Sequence, residues 1–363
     1  MTVMRPPEED VPFAANAAEL PPADPSIGEE LAPYQRSSRR RAILQILTSA
    51  LPYAVCWYLM IHSLQYGYWL TCLLAVPAAG FYLRSFMILH DCAHGSFFSS
   101  RPANNALGFA LGVLTLAPFA FWRKTHLIHH ATSGDLDRRW WGDVTTLTVR
   151  EYAALPKARQ RLYRLYRHPL FMFGIGVFLL FLVFHRFPWR IPSDWKREWR
   201  SVHLTNAVLA LVGVVMVFSI GLTSFLMILI PILAIASSWG GLFFFVQHQF
   251  EDTYWRPNDE WNFHQAGLQG SSYFELPRIL QWFSANIGFH HIHHLSARIP
   301  NYNLEACFRA VPQLQNPSRV SLGQSWRLAS LKLWDEEQQR LVGFKPGRQN
   351  REATTAAGLA GNT

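Results

Sequence analysis

Four long, almost purely apolar stretches constrain the fold of this chain more than any other feature. They run over residues 42–61, 68–89, 204–222 and 225–246. As helices, stretches of this length can cross about 30 Å of hydrocarbon. Backbone polar groups find no water in a bilayer core, so unbroken apolar runs are satisfied there as helices. The sequence therefore predicts an all-α integral membrane protein with four transmembrane helices in two hairpins.

Charged residues indicate the orientation of these helices. Arg39, Arg40 and Arg41 precede the first stretch, which places the amino terminus in the cytoplasm. Two further apolar pieces, 107–121 and 170–184, would each be only roughly 22 Å long as helices. We therefore expect re-entrant or interfacial helices there. All histidine clusters then face the cytoplasm, as expected for a multi-pass protein of a bacterial inner membrane.

The remaining composition divides the chain into three parts. Residues 1–37 are rich in Pro, Ala and acidic residues and lack the features of a secretory signal, so we expect a disordered cytoplasmic tail. Residues 38–345 form the membrane domain, and residues 346–363 are expected to be a second disordered tail. Beyond Val246 the chain is polar, aromatic and interrupted by prolines. This pattern predicts a cytoplasmic cap of short helices and loops.

The positive charge of the chain is better explained by lipid headgroups than by nucleic acid. The formal net charge is +9, but the Arg and Lys residues lie beside apolar runs without a nucleic-acid-binding motif. Tryptophans near the ends of these runs favour the membrane interface. The four cysteines are scattered and contain no CxxC pair, so neither a disulfide framework nor an iron-sulfur site is indicated.

Histidine spacing carries the strongest functional signal. Eight of the 15 histidines fall into three groups with separations of three or four residues. The groups are His90 and His94; His126, His129 and His130; and His290, His293 and His294. Such spacing presents the rings of each group on one helix face. His291 would point elsewhere, and the isolated histidines are given no ligand role.

These rings predict a metal centre with more than one ion. Neutral imidazole binds iron, zinc, copper and nickel, and eight rings are twice what one tetrahedral zinc uses. The clusters contain neither HExxH nor the ExxH pattern of soluble di-iron proteins, so redox iron in an all-histidine site is favoured. His248, where the fourth crossing emerges, is a further candidate ligand. Asp91 and Asp135 are candidate acceptors that would orient the rings.

The motifs resemble those of the membrane fatty acid desaturase family. An HxxxH box is followed by two HxxHH boxes, in the order that the family shows. The segments HDCAHGSFF, HLIHHATSGDLDRR, VQHQFEDTYW and NIGFHHIHHLSARIPNYNL are most similar to the omega-6, or delta-12, acyl desaturases. The resemblance covers roughly residues 38–345. It implies two iron ions held by the eight box histidines, with His248 in the place of a further family ligand.

The resemblance also implies a reaction. Family members insert a cis double bond into an acyl chain and consume O2 and two electrons. The acyl substrate, linked to lipid, coenzyme A or carrier protein, is expected to thread a narrow apolar tunnel beneath the cap. No cytochrome b5 domain or ferredoxin centre is recognisable, so we expect a separate electron donor. An acidic ferredoxin is one candidate, because a basic surface would attract it.

Two alternatives remain open from the sequence. Acyl hydroxylases and ketolases share the histidine boxes, and only the product distinguishes them from desaturases. A histidine-rich metal transporter is the alternative from another class. Transporters usually place polar residues near the bilayer midplane, whereas these histidines lie at helix ends and in the cap.

Overall fold

A computed structural model describes residues 25–344, apart from 140 and 190. Within this range the helices are α1 Pro25–Leu31, α2 Arg39–Ser63, α3 Tyr68–His94, α4 Arg101–Leu114, α5 Phe119–Thr132, α6 Val149–Ala154, α7 Lys157–Tyr166, α8 Val177–Leu182, α9 Lys196–Ile220, α10 Leu222–His248, α11 Phe263–Gln269, α12 Arg278–Phe283, α13 His290–Leu295, α14 Asn301–Ala310 and α15 Leu322–Leu328. A π-helix, Leu170–Gly176, precedes α8, and short 3-10 turns lie at Ala32–Gln35, Phe184–Arg186 and Pro312–Leu314.

Four of these helices, α2, α3, α9 and α10, are long and apolar enough to span a membrane. They confirm the four predicted crossings and their pairing into two hairpins. Short connections join α2 to α3 and α9 to α10, so the starts of α2 and α9 and the ends of α3 and α10 lie at one end of the bundle. Many apolar side chains of α9 face outward, among them Phe218 at 87% exposure. Such a surface fits lipid rather than water.

The two short apolar pieces lie in sharply bent helix pairs. The axes of α4 and α5 differ by 103°, and that of α7 differs by 68° from the axis of the segment 170–186. The first bend follows Thr115, where Leu116 has a φ of 59° and Pro118 precedes α5. These bends are the geometry expected of re-entrant or interfacial segments. The first also turns α5 back beneath the ends of α3 and α10.

Beyond α10 the chain forms the cap, which contains short helices and small sheets, and one strand from before α10, residues 147–148, joins one of these sheets. The strands are β1 Leu147–Thr148, β2 Tyr273–Glu275, β3 Arg319–Ser321, β4 Leu333–Asp335 and β5 Arg340–Val342. One sheet has the order β1-β4-β5, with β1 parallel and β5 antiparallel to β4, and the other pairs β2 and β3 in parallel. The sequence did not predict these sheets, because strands of two or three residues leave no periodic pattern.

The folded part begins earlier than the sequence predicted. α1 and the following 3-10 turn precede residue 37, and the fully buried Leu31 packs into a cluster with Leu304 and Cys307 of α14. Apolar contacts with the cap thus order residues 25–35, whereas the sequence predicted a disordered tail there. Residues 1–24 and 346–363 of the two predicted tails lie outside the described residues.

Candidate metal centre

Four helices bring the predicted histidines together at one end of the spanning bundle. His90 and His94 lie in the last turn and a half of α3, and α5 carries the second cluster. His248 is the last residue of α10, and α13 carries the third cluster. Because α3 and α10 both return to the same end of the bundle, rings far apart in sequence meet there.

α13 shows why its histidines point inward. Ile292 and Leu295 pack into the cap core with Leu304, so one face of this short helix is fixed by apolar contacts. The i, i+3, i+4 positions then lie on another face, towards α5. His291 leaves this face, and its Nε2 lies 3.0 Å from the carbonyl oxygen of Leu314.

Nine histidines form two adjacent groups that could each hold a metal ion. Within each group, one nitrogen from each ring lies within 4.8 Å of the corresponding atom of every other ring. The five-histidine group consists of His90, His94, His126, His130 and His293; the four-histidine group consists of His129, His248, His290 and His294. The groups share a border, where the rings of His130 and His294 stack with centroids 4.1 Å apart.

The distances between ring nitrogens within each group are those expected when two rings bind the same metal ion. Nε2 of His94 lies 3.0 Å from Nε2 of His126, and Nε2 of His130 lies 3.0 Å from Nε2 of His293. In the other group, the Nε2 atoms of His248 and His290 are 2.9 Å apart. Two nitrogens that each lie about 2.1 Å from one ion, at a right angle, are about 3.0 Å apart. The ring geometry therefore fits metal ligation.

Unpartnered ring nitrogens lead to the same conclusion for the four-histidine group. Nε2 of His129 and Nε2 of His294 are buried and have no hydrogen-bond partner among the described residues. A buried nitrogen without a partner costs free energy, on the order of 1–3 kcal/mol. A metal ion between the rings would remove this cost, because it accepts the lone pair of each nitrogen.

Hydrogen bonds at Nδ1 orient three of the rings. Nδ1 of His90 lies 3.3 Å from a carboxylate oxygen of Asp91, and Nδ1 of His129 lies 2.5 Å from Asp143. Nδ1 of His248 lies 3.1 Å from the carbonyl oxygen of Gly270. An acceptor at Nδ1 places the proton there and leaves Nε2 free to bind a metal. Each group thus contains one ring oriented by a carboxylate.

Asp135 does not have the position that the sequence predicted. Its carboxylate is buried and accepts hydrogen bonds from the Nε of Arg138 and from the backbone amides of Asp137 and Arg138. It therefore stabilises the turn after α5 and, among the described contacts, orients no histidine. A short aspartate side chain readily accepts hydrogen bonds from residues next to it in sequence. Here such bonds occupy both oxygens of Asp135, so neither is left for a histidine.

Asp143 is the ring acceptor that sequence reasoning missed. Gly142 has a φ of +76°, and a Cβ there would lie 2.8 Å from the carbonyl oxygen of Thr125 and 2.9 Å from Cβ of His129. Only a glycine lets the chain approach α5 so closely and bring Asp143 to the ring. The Gly-Asp pair in the sequence was a possible signal, but its separation of 14 residues from His129 left the contact unrecognised.

Burial keeps the cap histidines in the form that binds metals. Burial lowers the pKa of His290, His293 and His294 well below 6.5, and neighbouring histidines lower the pKa of each further. Neutral imidazoles therefore predominate at neutral pH. The isolated histidines at 62, 168, 185, 203 and 264 lie outside both groups.

Comparisons with known proteins agree with these features. A family model described as fatty acid desaturase matches residues 66–326. A Bacillus subtilis (strain 168) protein named fatty acid desaturase is 39% identical over 317 residues, which cover 87% of this chain and 90% of the relative. An Anabaena variabilis protein named sn-1 oleoyl-lipid 12-desaturase is 27% identical and covers 86% and 88% of the two chains. A Synechocystis protein (strain ATCC 27184 / PCC 6803 / Kazusa) named sn-1 acyl-lipid omega-3 desaturase (ferredoxin) is 24% identical and covers 69% and 67%.

The family match spans most of the chain, including three of the four spanning helices and every residue of the two histidine groups. It confirms the resemblance that the histidine boxes indicated. Members of this family are oxidoreductases that act on acyl chains. The chain belongs to the fatty acid desaturase family.

Proposed function

We propose that this protein introduces a cis double bond at the delta-12 position of an acyl chain, using O2 and two electrons at a di-iron centre. The observation that carries the proposal is the convergence of nine buried histidines into two adjacent groups at one end of a membrane-spanning bundle. The delta-12 position is supported by the motif resemblance and by relatives named sn-1 oleoyl-lipid 12-desaturase.

The proposed reaction removes two hydrogens from neighbouring methylenes and reduces O2 to two molecules of water with two electrons and two protons. An iron pair held by the five-histidine and four-histidine groups would supply the oxidising power for cleavage of the unactivated C–H bonds. The residues of the chain hold the rings, orient the acyl chain and exclude water. The cap helix α13 is buried throughout, so it separates the rings from solvent.

A groove on the membrane side of the histidines is the proposed path for part of the acyl chain. A cavity of about 290 Å³ lies between α3, α10 and α12, and Leu83, Phe243 and Phe283 are among its apolar lining residues. Leu83 and His90 lie seven residues apart on one face of α3, roughly 10 Å along the axis. A chain in this groove would point towards the five-histidine group.

Narrowing this groove should slow the reaction without removing the metal. Val76 lines the groove and is 51% exposed, and it lies two helical turns before Leu83 in α3. We expect Val76→Trp to lower the rate of double-bond formation by roughly tenfold or more, because even one extra methylene in an apolar pocket costs on the order of tenfold or more. Rate and iron content would be measured on the protein in lipid nanodiscs.

Leu73→Trp is the matched control for this experiment. Leu73 lies one turn earlier on α3, is 60% exposed and is not among the residues that line the groove. We expect this variant to keep the wild-type rate. Equal rates for the two tryptophan variants would contradict the assignment of the groove to the substrate.

Electrons are proposed to come from a separate protein. Within the described residues the four cysteines, Cys56, Cys72, Cys92 and Cys307, are free and dispersed among three helices, where they build no iron-sulfur site. The name of one relative, sn-1 acyl-lipid omega-3 desaturase (ferredoxin), includes the word ferredoxin, which supports a ferredoxin as the donor. The arginines at the start of α2 lie at the same end of the bundle as the histidine groups, which supports an active site facing the cytoplasm.

Expression in a host rich in oleate tests the proposed reaction. Wild-type protein should produce a new linoleate peak in the gas chromatogram of total fatty acids, and His294→Ala should produce none. A dienoic acid with another double-bond position would correct the regiochemistry alone. Accumulation of hydroxy or keto acids would instead assign the chain to the hydroxylases or ketolases.

A further inference from the structure

A buried chain of polar side chains joins the first spanning helix to the metal centre. Gln45 of α2, Asn301 of α14 and Asp91 of α3 are each at most 5% exposed. They come from three parts of the sequence that are far apart along the chain. Polar side chains at such depth cost free energy unless they are hydrogen-bonded, so their pairing requires a specific explanation.

The hydrogen bonds run in one line towards His90. Nε2 of Gln45 donates to Oδ1 of Asn301 over 3.0 Å. Asn301 then donates twice to Oδ2 of Asp91, from its backbone amide and from Nδ2, both over 2.7 Å. The other oxygen of Asp91, Oδ1, lies 3.3 Å from Nδ1 of His90.

This arrangement fixes Asp91 from the side opposite the histidine. Asn301 is the first residue of α14, so the Asp91 carboxylate accepts the first free amide of that helix and lies at the positive end of its dipole. The Asp91 carboxylate can only accept hydrogen bonds, so the amide nitrogen Nδ2 of Asn301 must face it. The amide oxygen Oδ1 of Asn301 therefore points to α2, where Nε2 of Gln45 donates to it.

We propose that Asn301 is a positioning residue for the metal centre, acting through Asp91 on the ring of His90, and that Gln45 holds the Asn301 amide from the side of α2. Through this line α2, which contributes no residue to either histidine group, takes part in holding the metal site. The inference rests on the proposed function only in that the metal is taken to be iron. It assigns no role in the reaction to Asn301 itself.

Iron retention by full-length protein in lipid nanodiscs tests this inference. We expect Asn301→Ala to lower iron affinity about tenfold in a chelator titration, since residues that orient metal ligands typically contribute this much. Asn301→Asp should lower iron affinity at least as much. Aspartate has nearly the shape of asparagine, but it would place a second negative carboxylate against that of Asp91. In Mössbauer spectra, the two irons should respond unequally, with the iron of the five-histidine group lost first.

Asn303→Ala is the matched control on the same helix. The Asn303 amide donates to the carbonyl oxygens of Tyr34 and Arg36 and does not contact Asp91. We expect it to retain iron as wild type does. Thermal unfolding of the metal-free proteins would separate a loss of metal from a loss of fold.

The outcomes separate this inference from the proposed function. If wild-type protein binds two irons and Asn301→Ala retains them equally well, or if Asn303→Ala loses as much, the role of Asn301 is wrong and the proposed function stands. If wild-type protein binds iron and the Asn301 variants lose it, but no dienoic acid is formed, the positioning role stands and the reaction is wrong. If wild-type protein binds no iron, both are wrong.

Discussion

Replacing His293 with alanine is expected to abolish double-bond formation while leaving the protein in the membrane. Nε2 of His293 lies 3.0 Å from Nε2 of His130, and its ring contacts those of His90 and His94 with centroids 4.4 Å and 4.8 Å away. Its removal takes a central ligand from the five-histidine group. We expect iron affinity of that group to fall more than about 100-fold, beyond the loss caused by removing a residue that only orients a ligand.

Iron content per protein and conversion of oleate would be measured on the same membrane preparation, with sedimentation after carbonate washing as the test of insertion. His293 contacts α3 at His90 and His94, beyond the apolar stretch 68–89, so insertion should be unchanged. His291→Ala is the control, because it removes a buried histidine from the same helix that lies outside both groups. Its iron content should stay near that of wild type. Loss of iron in both variants would mean that α13 unfolds, and the ligand role of His293 would then lack support.

His248→Ala is the variant with the second largest expected effect. This histidine has no sequence neighbour with ligand spacing, yet its Nε2 lies 2.9 Å from Nε2 of His290 and its Nδ1 is held by the carbonyl oxygen of Gly270. Without it the four-histidine group keeps only three ligands. We expect iron content to fall from two ions to about one, because the five-histidine group remains complete.

The reaction should also stop in the His248 variant, since the proposed chemistry requires both irons. Metal analysis together with Mössbauer spectroscopy would show which iron is missing. His203→Ala is a suitable control: this exposed histidine lies in α9, outside both groups. Retention of two irons and of full activity by His248→Ala would remove His248 from the ligand set.

The membrane-spanning architecture could be predicted from the sequence almost completely. Apolar stretches such as 68–89 identify spans because hydrophobic transfer and backbone hydrogen bonding act locally along a helix. The structure differs mainly at the ends, where α3 continues to His94 and α10 to His248. Those extra residues, five in α3 and two in α10, carry metal-binding candidates out of the apolar region. Their polar and aromatic residues hid the continuation of each helix from a search for apolar runs.

The cap was harder to predict, for a physical reason. Its strands are only two or three residues long and pair across separations such as that between Leu147 and Leu333. Pairing of this kind depends on tertiary contacts rather than on local propensity. The same holds for α1, whose order depends on the burial of Leu31 against α14.

The sequence by itself determined which residues could bind metals, because i, i+3 and i+4 spacing places rings on one helix face whatever surrounds the helix. It also determined that His291 would point away. Only the tertiary structure decided how nine rings divide into groups of five and four, and that Asp143 rather than Asp135 orients one of them. Those features depend on how separate helices pack and on a close approach at Gly142, which a local pattern does not encode.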